Sequence, residues 1–325
     1  MRSTVNHALS ESPESAARNL ITPWEGIQGV QGLAFASEFQ GDSARVLVPL
    51  DDFIDTFLSP SRASNWCQVQ SSTMRLLKSL GVRLGGARSL LFLGDSLVID
   101  RWRWIRKHLP RDSMLLVDAG CGNGWLAINC ARLGHQTLGL GSNESDIARA
   151  RVRAEVLRSN ARFEVQDLRE LAGRDDLKAS FDVVTCTEVI EHILDDSGLI
   201  SDLAALLRPG GRLLLTTPNA DYVPVDDGDA GPFVAVEDGR HVRKGYSADE
   251  LREIAESASL RVEEISYCSG RESQRLTRLL RRLTRSIGYG PAWALTLPLR
   301  VLPLTIERPT PDYPPYTICI EAFKK

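Results

Sequence analysis

The middle of the chain alternates short apolar runs with segments of helical spacing. Residues 115–118 are an apolar run closed by a glycine-rich turn, and residues 125–133 continue with helical spacing. The same rhythm recurs further along. Predicted strands lie at 137–140, 163–165, 181–185, 212–216, 261–267 and 316–323, and predicted helices at 145–157, 199–207 and 247–258. The pattern predicts an α/β fold with a seven-stranded, mostly parallel sheet covered by helices on both faces.

Two regions lie outside this alternating core, which takes in residues 111–270 and a last strand within 313–325. Residues 1–110 give weaker signals, with breaks at Pro60 and Gly85 and a predicted helix at 98–108. We interpret them as a helical N-terminal cap. Residues 271–312 form an insertion before the last strand.

The insertion opens with an amphipathic, basic segment at 271–285. Its arginines recur at helical spacing and are interleaved with leucines, which gives one basic and one apolar face. Two uses of this helix stay open. Its basic face could contact a membrane surface or nucleic acid, or the helix could pack on its own domain with solvated arginines, and the second use is favoured. Residues 292–306 are too short and too broken to span a bilayer.

Composition narrows the functional class. The chain has 325 residues, of which 43% are hydrophobic, with a net charge of −3. Proteins that coat nucleic acids carry an excess of Lys and Arg, so a nucleic-acid partner is disfavoured and a small-molecule substrate is favoured. The six cysteines are scattered, and residues 1–20 have no apolar core of a signal sequence. We therefore expect a reducing, cytoplasmic location.

The loop after the first strand carries the clearest candidate chemistry. Gly120, Gly122 and Gly124 remove side chains where the backbone must turn, so that a ligand can approach main-chain N–H groups and the next helix. Dinucleotide-binding proteins also have a glycine-rich loop here. Their spacing is G-x-G-x-x-G, whereas this sequence has G-x-G-x-G, which disfavours an NAD-dependent oxidoreductase.

Residues 117–124, VDAGCGNG, resemble the first motif of the Rossmann-like, class I S-adenosylmethionine-dependent methyltransferases. Residues 207–211, LRPGG, resemble the late motif of that family, and residues 166–168 and 181–184 match segments between the two. The resemblance covers roughly 113–267. It implies that S-adenosylmethionine is the cofactor. It assigns the methionine end to Asp118, Gly120, Cys121, Gly122 and Gly124, and the adenine to Asp167 and Leu168. Asp167 alone could equally be a helix cap.

The sequence departs from the family pattern at the end of the second strand. Members of the family usually have an acid there that accepts hydrogen bonds from the ribose, and this chain has Gly141. Asn143 or Glu144 could reach the same hydroxyls from the following turn. Weak cofactor binding is the other outcome, and it keeps a non-catalytic member of the fold in view.

A second candidate site follows the fourth strand. If the chain is helical there, Glu188, Glu191 and His192 lie on one face, with Glu188 also near the cofactor. Together with His241, this run resembles ubiquinone-pathway O-methyltransferases and small-RNA 2′-O-methyltransferases, in which such residues bind a divalent cation. The resemblance implies a site for Mg²⁺, Mn²⁺ or Zn²⁺ made by Glu188, Glu191, His192 and His241. The alternative is that His192 acts alone as a base.

These observations predict an S-adenosylmethionine-dependent methyltransferase that methylates a small-molecule hydroxyl, with His192 and Glu191 as catalytic residues. C- or N-methylation of a small metabolite stays open. We expect Asn219 or Tyr246 to help place the acceptor. Residues 1–110 and 271–312, with Trp102, Trp104 and Trp293, should form a lid over it. Replacing Gly120 with valine should block the cofactor pocket and leave the fold intact.

Overall fold

A seven-stranded sheet organises the part of the protein that the computed structural model describes, residues 94–225, 227–301 and 313–325. The strands are β1 (Leu115–Ala119), β2 (Gln136–Gly141), β3 (Arg162–Val165), β4 (Phe181–Thr187), β5 (Leu207–Pro218), β6 (Leu260–Cys268) and β7 (Thr317–Lys324). The helices are α1 (Ser96–His108), α2 (Trp125–Arg132), α3 (Glu144–Val156), α4 (Asp196–Leu206), α5 (Ala248–Ser257), α6 (Arg271–Ile287) and α7 (Tyr289–Val301). Short 3₁₀ turns lie at Leu168–Gly173, Asp175–Leu177, Ile190–His192 and Asp227–Ala230. The predictions for residues 1–93 and 302–312 lie outside the described residues.

The strand order is β3-β2-β1-β4-β5-β7-β6. Strands β1 to β5 pair in parallel, and β7 runs antiparallel to both β5 and β6. The predicted mostly parallel, Rossmann-like sheet of seven strands is thereby confirmed. The order reverses between β1 and β4, and open α/β sheets bind ligands at the carboxyl ends of the strands beside such a reversal.

Both faces of the central strands are buried. Successive residues of a strand point to opposite faces of the sheet. Each of β1, β4 and β5 has two successive buried apolar residues, one for each face. One face packs against α1 through Leu116, Val183 and Leu214. The other packs against α4 and α5 through Val117, Val184 and Leu215. Each such side chain is at most 1% exposed and contributes about 1.5–3 kcal/mol through burial.

Helix α1 belongs to the core, which corrects the boundary placed at residue 110. Trp102 and Trp104 are buried in the apolar cluster on the sheet. The indole N–H of Trp104 donates a hydrogen bond to Ser266 Oγ on β6, at 2.8 Å. The expectation that these two tryptophans form a lid is therefore wrong, because the sheet needs α1 to cover an apolar face.

Local sequence explains most helix ends. The side chains of Asp95 and Asn143 cap α1 and α3, and Ser247 with Glu250 forms a capping box at α5. The predicted helix at 199–207 is α4, which starts earlier and ends at Leu206 because Leu207 already pairs with β4. Among the described residues, no helix has the length and hydropathy to cross a membrane.

Candidate functional site

The glycine-rich loop leaves β1 at the strand-order reversal and enters α2. All three glycines have positive φ angles, of 80°, 49° and 79° for Gly120, Gly122 and Gly124. Their surroundings differ. A Cβ at Gly120 would lie 2.3 Å from Val189 Cγ2, and one at Gly124 would lie 2.8 Å from Phe163, whereas one at Gly122 has no neighbour within 4 Å. Close packing therefore excludes side chains at the outer two glycines, and Gly122 borders open space.

This geometry corrects the expectation for Gly120. A valine there would collide with Val189 and would also need a positive φ, which side-chain-bearing residues rarely adopt. Such a variant would disturb the fold as well as any cofactor pocket. Gly122 is the position where a substitution tests ligand binding more directly.

Asp118 lies at the end of β1, beneath the loop. It is 1% exposed, and its Oδ1 accepts a hydrogen bond from Thr185 Oγ1 on β4 at 2.9 Å. Burial raises the pKa of Asp118 to about 7. The neighbouring Cys121 is also buried, and its backbone N–H donates to Leu140 O, which holds the loop against β2. A cationic ligand near Asp118 would favour the ionised carboxylate.

The end of β2 shows how the missing acid is accommodated. Gly139 is required by packing, since a Cβ there would lie 2.6 Å from the Phe163 ring. A Cβ at Gly141 would have only ordinary contacts, the nearest at 3.4 Å. Asn143 Oδ1 accepts from the N–H groups of Ser145 and Asp146 as a helix cap. Glu144 is exposed in the first turn of α3.

The predicted adenine residues lie just after β3. Asp167 caps the 3₁₀ turn by accepting from Arg169 N–H, and its carboxylate is also paired with the Arg169 guanidinium. Asp167 therefore acts as a helix cap in this structure, which is the alternative that the sequence left open. The side-chain hydrogen bond from Arg169 holds the pKa of Asp167 below its usual range. Leu168 is 6% exposed and contributes to the core.

The segment after β4 is not the helix that the sequence suggested. Glu188 has φ +53°, and only Ile190–His192 forms a 3₁₀ turn. Glu188 is not in the group whose ligand atoms lie within 4.8 Å of one another, and its carboxylate has other partners. Its Oε2 lies 3.2 Å from Arg101 Nη1 on α1, and its Oε1 accepts from Thr216 Oγ1 at 3.2 Å. The structure thus groups three of the four predicted metal ligands, without Glu188.

Arg101 is a site residue that the sequence did not single out. It is one of several arginines in α1, and only the fold reveals that it reaches the carboxyl edge of the sheet. Burial opposes its charge, but Glu188 and Asp95 raise the pKa of Arg101. Burial raises the pKa of Glu188, and the Arg101 charge opposes that rise. The Arg101–Glu188 pair lies near the candidate cofactor loop, because Val189, the residue after Glu188, packs against Gly120.

The three remaining predicted ligands do come together. Ligand atoms of Glu191, His192 and His241 all lie within 4.8 Å of one another. His192 Nε2 is 3.9 Å from Glu191 Oε1, and the two imidazole rings meet edge to face with centroids 4.6 Å apart. Glu191 is fully buried, and Thr217 Oγ1 donates to its Oε2 at 3.0 Å. Its Oε1 and His192 Nδ1 are buried without a hydrogen-bond partner.

His241 reaches this cluster on the long loop between β5 and α5. The backbone N–H of Val242 donates to Glu191 O at 2.9 Å. Arg243 donates to Ile193 O at 2.8 Å and pairs with Asp196. Glu237 accepts from the backbone N–H of Leu194. The loop is therefore fastened to the segment that carries Glu191 and His192.

Asn219 and Tyr246 have structural contacts instead of facing an acceptor. Asn219 is 5% exposed and donates to Pro315 O at 3.1 Å. Tyr246 is 3% exposed, and its hydroxyl lies 2.9 Å from Asp196 Oδ2. Their backbones also form an isolated bridge with each other. These contacts contradict the expectation that either side chain places the acceptor.

Comparison with known proteins assigns the family. A family model described as a methyltransferase domain matches residues 99–265, about half of the chain. The chain belongs to this methyltransferase family. It is 31% identical over 170 residues to a ubiquinone biosynthesis O-methyltransferase of Coxiella burnetii, spanning 51% of this chain and 71% of that protein. A protein of the same name from Xanthomonas euvesicatoria is 34% identical over 119 residues, or 37% and 49% of the two chains.

A solved structure shares the fold. A putative sarcosine dimethylglycine methyltransferase from Galdieria sulphuraria superposes with a TM-score of 0.50 at 15% identity, covering 69% of this chain and 85% of that one. The protein is a class I S-adenosylmethionine-dependent methyltransferase, and the predicted cofactor class is confirmed. Its matched region includes α1 from residue 99 onward, which places Arg101 within the methyltransferase domain.

Burial and neighbouring charges shift the pKa values within the cluster of Glu191, His192 and His241. Burial raises the pKa of Glu191 well above its usual range, and the charge of Glu188 raises it further. Burial lowers the pKa of His241, as does the charge of His192. Without an added cation, the cluster therefore favours a protonated Glu191 and a neutral His241. That arrangement can accept a proton at an imidazole, or can hold a divalent cation that replaces the proton.

Proposed function

We propose that this methyltransferase transfers the methyl group of S-adenosylmethionine to a hydroxyl oxygen of a small molecule. The observation that carries the proposal is the cluster of Glu191, His192 and His241 at the carboxyl end of the sheet. An alcohol or phenol must lose its proton during methylation, and a group that accepts it accelerates the reaction. The names of the two similar O-methyltransferases support an oxygen acceptor.

The loop at residues 118–124 would hold the methionine end of the cofactor. Open space beside Gly122 admits a ligand, and buried Asp118 supplies a carboxylate for its cationic groups. Arg101 would pair with the cofactor carboxylate, since its Nε is buried without a hydrogen-bond partner. The ribose and adenine would lie toward the residues after β2 and β3, where Glu144, Asp167 and Leu168 are found. Bound S-adenosylmethionine supplies an electrophilic methyl group.

His192 would accept the acceptor's proton. An imidazole nitrogen would take the proton from the acceptor hydroxyl, whose oxygen would then bond to the methyl group. Bound S-adenosylmethionine would supply that methyl group and leave as S-adenosylhomocysteine, its sulfur keeping the electron pair of the broken bond. The His192 side chain is 29% exposed, so its proton can return to solvent. Alignment of the two reactants supplies a larger share of the acceleration than the base does.

The same residues fit a divalent cation. Glu191, His192 and His241 offer one oxygen and two nitrogens, a mixed set that suits Mn²⁺ or Zn²⁺ and is less typical of Mg²⁺. The buried, unpartnered atoms Glu191 Oε1 and His192 Nδ1 are consistent with a missing partner. A cation held there would lower the pKa of a nearby hydroxyl by Lewis-acid polarisation.

A cavity of about 360 Å³ between α6, α7 and the start of α1 is our candidate place for the acceptor. It is lined by Asp95 at the start of α1, by Leu280, Arg281 and Thr284 on α6, and by Tyr289 on α7. Asp95 is close enough to Arg101 and Glu188 to affect both of their pKa values, so the cavity neighbours the candidate cofactor site. This supports the earlier expectation that the insertion helps to enclose the acceptor.

Product analysis tests the choice of oxygen. The purified full chain is incubated with deuteromethyl-labelled cofactor and matched series of phenols, alcohols, amines and carbon nucleophiles, and products are identified by mass spectrometry. We expect labelled methyl ethers, with at least about 100-fold less product from His192→Asn. His108→Asn, which changes a buried histidine outside the cluster, is the control. Methylation of amines or carbon alone, at a rate unaffected by His192→Asn, would contradict the proposal.

Chelation separates the lone base from the cation site. If a cation is held, metal analysis of the purified protein will find about one equivalent, and chelation will abolish turnover until Mn²⁺ or Zn²⁺ is restored. His241→Ala should then lose the metal and the activity together. Full turnover by metal-stripped protein would leave His192 as a base without a cation.

A further inference from the structure

Helix α6 buries a face that is mainly polar. Ser273, Gln274 and Thr277 are fully buried. Leu280, at 4% exposure, is the only large apolar residue of the helix that is buried. The helix packs on its own domain with exposed arginines, as the favoured expectation had it, but its buried face is not the leucine stripe. An apolar stripe at helical spacing lies beside the buried face and comprises Leu276, Leu279, Leu283 and Ile287. Leu279 and Ile287 are 39% and 43% exposed, so part of the stripe faces solvent.

Helix α7 repeats this arrangement. Ala292, Thr296 and Arg300 are its buried residues, at intervals of one turn. The Arg300 guanidinium donates to the backbone oxygens of Gly94 and Trp293, which satisfies a charged group inside the fold. Leu295 and Leu299 are 63% and 40% exposed. The two helices pack against each other, and each leaves large apolar side chains outside.

The other side of α6 is strongly basic. The helix has six arginines and one acidic residue, Glu272, for a formal charge of +5 in a chain whose net charge is −3. Arg281 faces inward and pairs with Asp229 at 3.1 Å. The exposed arginines follow helical spacing, at 271, 275, 282 and 285. The apolar stripe of α6 therefore runs beside a row of exposed positive charges.

We propose that this α6–α7 surface binds reversibly to a bilayer that contains anionic lipids. Helices that lie in a membrane interface combine an apolar stripe with a basic face in this way. The apolar side chains enter the boundary between headgroups and acyl chains, and each arginine near the surface adds to the attraction. The proposal does not depend on the methyl acceptor or on the cation.

A second copy of the chain and a nucleic acid each match this surface less well than a bilayer does. A second copy of the chain docked by the same patch would bring the two basic rows toward each other, at a cost from like-charge repulsion. A nucleic acid would use the arginines but would leave the leucines without an apolar partner. A bilayer offers negative charge and apolar volume at one surface, so it matches both features.

Vesicle co-sedimentation tests the proposal with the full chain. The probes are vesicles of phosphatidylcholine alone and vesicles that also contain phosphatidylglycerol. We expect binding only to the second kind, weakened by high salt. The double variant Arg275→Gln/Arg282→Gln should bind the anionic vesicles at least about tenfold more weakly. Arg252→Gln/Arg261→Gln removes two exposed arginines elsewhere and should bind as the unmodified chain does.

A second pair of variants tests the apolar part. Leu295→Ser/Leu299→Ser should reduce binding by at least about tenfold, whereas Leu133→Ser, at 42% exposure on α2's end, should not. Cofactor binding by every variant checks that the fold is kept. Three results would overturn the proposal: no sedimentation with anionic vesicles, equal losses in the control variants, or a dimer in solution that the leucine variants dissociate while vesicle binding stays absent.

Discussion

Replacing Gly141 with aspartate should strengthen the binding of S-adenosylhomocysteine by about tenfold. The end of β2 is where related methyltransferases usually have an acid for the ribose hydroxyls, and this chain has glycine there. The nearest atoms to a Cβ at that position are Ile147 Cδ1 at 3.4 Å and Cys121 Sγ at 3.6 Å. These are ordinary contacts, so the carboxylate can be introduced at little steric cost.

The magnitude follows from the hydrogen bonds gained. A hydrogen bond to a charged group contributes about 1.5–3 kcal/mol net, and part of this is lost in ordering the new side chain. A net gain of about 1.4 kcal/mol corresponds to the tenfold change. Gly141→Ala adds the same Cβ without the carboxylate and should leave the affinity within about twofold.

Isothermal titration calorimetry of both variants with S-adenosylhomocysteine makes the comparison, with thermal unfolding as a check on the fold. Glu144→Gln, made in the unmodified chain and in Gly141→Asp, asks whether Glu144 serves the ribose at present. It should weaken binding in the first background and have a smaller effect in the second, because one carboxylate then replaces the other. If folded Gly141→Asp binds no more tightly than Gly141→Ala, the reasoning about the ribose position is wrong.

Three other changes probe the rest of the site. Glu191→Gln should reduce the loss of stability with rising pH, measured in chelator. The raised pKa of Glu191 means that its contribution falls as pH rises from the ordinary glutamate value through the folded value, while Asp118, also with a raised pKa, keeps part of the dependence. Urea unfolding at about pH 5 and about pH 8 checks this, and parallel slopes for both proteins would contradict it. Arg101→Gln should weaken S-adenosylhomocysteine binding by about tenfold, measured by calorimetry, while Arg103→Gln on the exposed side of the same helix should not. Gly122→Ala should fold and bind the cofactor more weakly, whereas Gly120→Ala should lower the melting temperature sharply because of its 2.3 Å contact; similar melting temperatures for the two would refute the packing argument.

The sheet was predictable because its strands are short apolar runs separated by turn signals. Leu116 and Val117, for example, are both apolar and both fully buried, as expected for a strand covered on two faces. The loop glycines were recognisable from their spacing. Their separate roles were not, because only the fold shows that Val189 lies against Gly120 while Gly122 borders open space.

The parts that sequence missed depend on contacts between distant segments. Helical spacing placed Glu188 with Glu191, but a residue with positive φ interrupts the helix and turns Glu188 to Arg101. Periodicity identified α6 as amphipathic but did not show which of its residues are buried, because burial depends on neighbouring polar side chains as well as on hydrophobicity. Tertiary context decides both cases.

His241 lies on a different loop from the candidate cofactor residues. The loops after β1, β2 and β3 carry the candidate cofactor residues, while His241 arrives on a segment fastened by a few contacts from Val242, Arg243 and Glu237. The same segment also reaches the donor side, because Glu237 pairs with Arg169, which in turn pairs with Asp167. A change in this loop would therefore be felt both beside the acceptor and next to the residues that follow β3.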